Sequence, residues 1–107
     1  MKKIMFSLTT CACVAAWGVA VAGGKTAEEV YNSVCAACHS TGVAGAPKVG
    51  DKENWSQRAA QGLDTLVSNA IKGKAAMPPK GGNPTLTDDE IKNTIEFMLA
   101  QTGVSAN

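Results

Sequence analysis

The chain has 107 residues, with ten Lys or Arg against nine Asp or Glu and a formal charge of +1; it has room for one domain, which excludes a multidomain enzyme. Apolar residues make up 45% and charged residues 18%, a balance that argues for a folded chain rather than a disordered one. A charge this close to zero lacks the dense phosphate-neutralising surface that a nucleic-acid binder needs.

Lys2 and Lys3 precede an uncharged, mostly apolar stretch from Ile4 to Ala22. It ends in Ala20-Val21-Ala22, with small residues at the two positions that a signal peptidase reads. This predicts a secretory signal over residues 1–22, cleaved after Ala22, and one domain over 23–107. A retained anchor is the rival reading, but Ser7, Thr9, Thr10 and Gly18 dilute the stretch and Gly23-Gly24 follows at once. Cys11 and Cys13 leave with the signal, and Leu8-Thr9-Thr10 lacks the small residues expected before a lipid-modified Cys11. Removing 22 of the 107 residues leaves 85, with eight basic against nine acidic side chains. A domain so short tends to need a disulfide, a metal or a cofactor to hold it together.

Thr26-Ala27-Glu28-Glu29 reads as a capping box that opens a first helix. Val30, Tyr31 and Val34 fall on its inner face, Glu28 and Asn32 on its outer one, and the pattern runs into Cys35. Ser40 to Gln61 reads mostly as loop, with a short helical turn around Ser56 to Gln61. Leu63, Leu66, Val67, Ala70 and Ile71 predict a short amphipathic helix that stops at Gly73. Pro78, Pro79 and Pro84 return Lys74 to Pro84 to loop. Thr87-Asp88-Asp89-Glu90 is a second capping box, opening a last helix with Ile91, Ile95, Phe97, Met98 and Leu99 on its apolar side and Gly103 as its stop. No strand is predicted. Three main helices with two long loops between them pose a problem, because loops of that length in a small domain need something to hold them.

Cys35-Ala36-Ala37-Cys38-His39 answers it. This is a Cys-x-x-Cys-His pattern, in which two thiols add across the vinyl groups of a haem and the adjacent imidazole lies beneath the iron. It predicts one covalently attached haem c. A thioredoxin-like dithiol uses the same Cys-x-x-Cys unit but places it at the start of a helix after a strand, whereas here it ends a helical pattern. A closed zinc site lacks a fourth ligand, since the chain has no other histidine and the predicted mature part has no other cysteine.

Together with Gly45-Ala46-Pro47 and Met77-Pro78-Pro79-Lys80-Gly81-Gly82, the motif resembles a class I monohaem cytochrome c, and the last run is most similar to the bacterial cytochrome c-five subgroup. The resemblance covers nearly all of the mature chain. It implies a small all-α domain wrapped around one haem, and a periplasmic electron carrier rather than an enzyme. His39 is then the proximal ligand, with the Pro47 carbonyl as acceptor for its second ring nitrogen, and Met77 is the distal ligand. Met98 falls on the apolar stripe of the last helix and is expected in the core. Trp55 and Arg58 are candidates to hydrogen-bond a haem propionate, and Tyr31 with Phe97 for the contact between first and last helices. Lys48, Lys52, Lys72, Lys74 and Lys80 flank these motifs and form a candidate basic rim that steers an acidic redox partner.

The mechanism expected is one-electron shuttling at an iron that stays six-coordinate, with docking only to redox proteins, no small-molecule substrate and no lasting membrane contact, as a monomer or weak dimer. Two other readings stay open: an open distal face that senses a gas or reduces peroxide, although a second histidine for the distal side is missing, and a thiol-disulfide oxidoreductase without haem.

Overall fold

A computed structural model describes residues 24–106; the predicted signal over 1–22, with Cys11 and Cys13, lies outside these residues. The first helical stretch begins at α1 (Ala27–Val30), where both halves of the Thr26/Glu29 capping box form. It continues through one π-helical segment, Tyr31–Cys35, in which the Ala36 N–H donates to the Tyr31 carbonyl five residues back, and ends as α2 (Ala36–His39). Then follow α3 (Lys52–Ala59), α4 (Leu63–Lys72) and α5 (Asp88–Thr102). The fold is all-α; the described residues hold no strand beyond a single antiparallel bridge between Lys74 and Met77.

Helix α3 departs from the sequence expectation. It starts after Asp51, whose carboxylate accepts from the Asn54 N–H, and ends at Ala59, before the turn expected at Ser56 to Gln61 is complete. Its sequence KENWSQRA turns only Trp55 and Ala59 fully inward, too few apolar residues to set up a recognisable period. Gly62, with φ 92, separates it from α4, which stops at Gly73 as its sequence requires.

Helix α5 is the spine of the domain. Its second capping box forms on both sides, and Gly103 closes it in the left-handed conformation. Ile91, Ile95, Met98 and Leu99 are buried along one face, each apolar side chain stabilising the fold by roughly 1.5–3 kcal/mol relative to exposure. Thr94 and Thr102 share that face and are buried too. Their hydroxyls donate to the Glu90 and Met98 carbonyls, 2.6 and 2.8 Å away, so their polar groups are satisfied within the helix. Helix α1 packs on α5, and the Tyr31 and Phe97 rings meet at 5.7 Å between centroids, tilted by 51°.

The long loops are tied by hydrogen bonds of their own. Between α2 and α3, the Val49 N–H donates to the His39 carbonyl at 2.8 Å and the Gly50 N–H to the Thr102 hydroxyl of α5 at 3.0 Å. Between α4 and α5, Lys74 and Met77 exchange both backbone hydrogen bonds around a two-residue turn, and Leu86 anchors the far end in the core.

Candidate functional site

An apolar cleft is lined by His39 of α2 and Cys35 just before it, by Met77, Lys80 and Leu86 from the loop between α4 and α5, by Val30 of α1 and Ala70 of α4, and by Ile91, Ile95 and Met98 of α5. His39 is buried, and its Nδ1 lies 2.9 Å from the Pro47 carbonyl oxygen. A carbonyl only accepts, so this bond puts the proton on Nδ1 and leaves the lone pair on Nε2 for a metal. The same carbonyl fixes the plane of the ring, and the Trp55 indole lies against it with centroids 5.9 Å apart.

The two cysteines are free thiols. Cys35 lines the cleft, half-buried, whereas Cys38 is exposed and stands outside its lining. Burial, and secondarily the neighbouring Cys38, push the Cys35 thiol up to about 11. A dithiol that attacks disulfides needs its first thiol depressed towards neutrality, so this environment opposes the oxidoreductase reading. Among the described residues no three His, Cys, Asp or Glu side chains converge as a metal cluster.

Both Met77 and Met98 line the cleft. Met98 is buried in α5 and belongs to the hydrophobic core, so core and cleft wall are the same place for this residue. Met77 is half-buried on the loop. Its position depends on Gly73, which has φ 85 and ψ 150 and faces the loop so closely that a Cβ there would stand 2.9 Å from the Pro79 nitrogen and 3.0 Å from the Met77 carbonyl. Only glycine lets the end of α4 and this loop pack together.

Trp55 and Arg58 are engaged within the protein. The Trp55 indole N–H, expected for a propionate, donates to the Lys48 carbonyl at 3.0 Å. Arg58 Nε donates to Asn54 Oδ1 at 2.8 Å, one helical turn back. Lys48, Lys52, Lys72 and Lys74 are exposed, while Lys80 is half-buried.

Sequence reasoning missed Leu86 and Thr94 as cleft residues. Leu86 carried a usable signal: it precedes the Thr87 cap and stands opposite Ile91, the arrangement of a hydrophobic staple, and both are buried. Thr94 carried none beyond its spacing from Ile91 and Met98.

The group that the Cys-x-x-Cys-His pattern implies is a haem, and the residues fit it. The donor set is the one such a group needs: the His39 imidazole keeps Nε2 free, the Met77 thioether and the Cys35 thiol line the same apolar cleft, and the Cys38 thiol is free and exposed three residues on.

Known proteins give the same indication. The family model described as cytochrome c oxidase, cbb3-type, subunit III matches residues 22–98. Cytochrome c-555 of Chlorobaculum tepidum is 51% identical over 84 residues, 75% of each chain. Cytochrome c5 of Ectopseudomonas mendocina is 44% identical over 78 residues, 71% of this chain and 90% of that one. Among solved structures, a cytochrome c chain described as part of an electron transfer complex with nitrite reductase superposes with a TM-score of 0.68 at 41% identity, over 71% of this chain and 93% of that chain.

Proposed function

The chain belongs to the class I monohaem cytochromes c, and from that membership we propose that it carries single electrons through one haem joined to Cys35 and Cys38, with His39 and Met77 as axial ligands. Electron transfer, not catalysis, is the work of this family, and a single c-type haem is its cofactor. When bound, the haem supplies a one-electron ferric/ferrous couple.

The residues of this chain do the rest. Pro47 orients His39 and fixes its tautomer, so that Nε2 is always the free nitrogen. Gly73 and the paired backbone of Lys74 and Met77 set the thioether, a ligand that raises the potential relative to a second imidazole. The apolar walls exclude water. Trp55, its N–H committed to Lys48, packs against the His39 ring, and Arg58 keeps its Nη donors for a propionate. The observation that carries this reading is the placing of the pinned His39 and of Met77 on one apolar cleft that Cys35 also lines.

Within the class, the run Met77-Pro78-Pro79-Lys80-Gly81-Gly82 supports a c-five type, and the relatives carry both the names c-555 and c5. Residues 1–22 direct export to the periplasm and are cleaved after Ala22, leaving 23–107 as the carrier. Its partners are redox proteins that dock transiently, as the complex with nitrite reductase illustrates for a related chain. Lys48, Lys52, Lys72 and Lys74 steer an acidic partner to it.

The test is spectroscopic. In protein matured in a periplasm, colour that survives acid-acetone extraction establishes the thioether bonds, and the weak far-red band of ferric haem with a sulfur ligand establishes Met77 or Met98 at the iron. Colour without that band overturns the His/Met pair, and a colourless product in a cell able to attach haem overturns the reading as a whole.

A further inference from the structure

Lys80 stands apart from the lysines with which the sequence groups it. Lys48, Lys52, Lys72 and Lys74 are exposed, whereas Lys80 is half-buried and lines the cleft. Its Nζ donates to the Leu86 carbonyl at 2.8 Å, with Asp88 Oδ1 at 3.9 Å. Leu86 is buried where the loop enters α5, so the carbonyl is a fixed point. A charge-assisted bond to such a carbonyl outweighs an exposed ion pair, and the Asp88 carboxylate is largely exposed.

The backbone adds a second observation. Lys80 adopts φ 55, in the left-handed region that a residue with a side chain rarely enters, and Gly81 follows at φ 63. The tie to Leu86 offsets that cost. Only Pro78 and Pro79 separate Lys80 from Met77, and both have φ locked by their rings, so fixing Lys80 restricts Met77. The other end of the loop is already held by the Lys74 and Met77 pairing.

We propose that Lys80 is a positioning residue: through the Leu86 carbonyl it clamps the loop after Met77 to the start of α5 and holds the Met77 thioether in the cleft. The proposal rests on Met77 being the distal ligand. Its test is a titration of the oxidised, haem-loaded protein with imidazole, a neutral competitor for the methionine side of the iron, followed through loss of the far-red band. Lys80→Ala is expected to bind imidazole about thirtyfold more tightly than wild type, the size that loss of a charge-assisted hydrogen bond implies. Lys80→Arg, which reaches the same carbonyl, is expected within about threefold of wild type. Lys92→Ala removes an equal charge from the exposed side of α5 and is expected to match wild type. If Lys80→Ala does not fold, Lys80→Gln, one bond too short for Leu86, gives the same reading. Wild-type affinity in Lys80→Ala or in its Gln substitute, or equal tightening in Lys92→Ala, overturns the clamp while leaving Met77 as ligand. A wild-type protein without the far-red band overturns the ligand assignment and the clamp with it.

Discussion

Two thioethers line the cleft, and they differ in what else holds them. Met98 is buried in the core with Ile91, Ile95 and Leu99 of α5, while Met77 is half-buried on a loop and packs only against the edge of that core. Replacing Met77 with Ala is therefore expected to abolish the far-red band and to let carbon monoxide bind rapidly to the reduced protein. Met98→Leu keeps volume and apolarity, so the band is expected to persist and stability to change by less than about 1.5 kcal/mol in denaturant unfolding. Loss of the band in Met98→Leu instead would transfer the ligand role to α5. Individual residues were unequally legible. The motif itself announces Cys35, Cys38 and His39, and the proline-flanked loop singles out Met77. The partner of Trp55 was not legible, because it is the Lys48 carbonyl brought round by the turn before α3, and a backbone acceptor leaves no mark in the sequence.

At the scale of elements, the signals that survived from sequence to structure are the helix ends. Both capping boxes form, since Thr and Glu three residues apart satisfy each other's amides whatever surrounds them. Glu90 does more than cap α5. The Thr87 amide first, and then the Lys25 amide, hold its carboxyl below the ordinary 4.5. A group held low in the folded state stabilises it above its unfolded value, and that contribution disappears as pH falls from about 4.5 through the lower folded value. Thermal melting of Glu90→Gln is thus expected to fall below wild type at pH 7 and to approach it near pH 3; an equal deficit at both would assign the effect to packing. Gly73→Ala tests the other kind of helix end. A Cβ pressed against Pro79 from a glycine-only conformation is expected to cost about 2–3 kcal/mol and to weaken the far-red band. A change under about 0.5 kcal/mol with the band intact would show that the loop gives way freely. The π segment at Tyr31–Cys35 and the start of α3 were not legible. The first differs from an α-helix by one residue in its hydrogen-bond spacing, and the second is a charged surface helix with two inward side chains.

For the molecule as a whole, core and cleft are nearly one surface. Of the ten buried apolar residues among those described, six also line the cleft: Val30, Ala70, Leu86, Ile91, Ile95 and Met98. The remaining four include Ala59, which buries little area, so the chain by itself holds a small core for its length. The loop hydrogen bonds at Val49, Gly50 and Lys80 tie the loops to α2, α5 and the start of α5, but each is worth only about 1 kcal/mol, or about 2 where Lys80 carries charge. No disulfide joins the described residues, since Cys35 and Cys38 are free. On the proposed reading, a haem joined to Cys35 and Cys38 would complete this core, and without it more than half of the buried apolar side chains would lack a partner. Cys35→Ser with Cys38→Ser, exported like the wild type, is expected to lose the cooperative thermal transition in near-ultraviolet dichroism while keeping part of its helical signal, because the capped helices are local and their packing is not. The haem-loaded wild type is expected to melt in one cooperative step. A cooperative transition in the double variant would mean that α1 on α5, with Tyr31 against Phe97 and the tied loops, suffices to define the fold before any haem is attached.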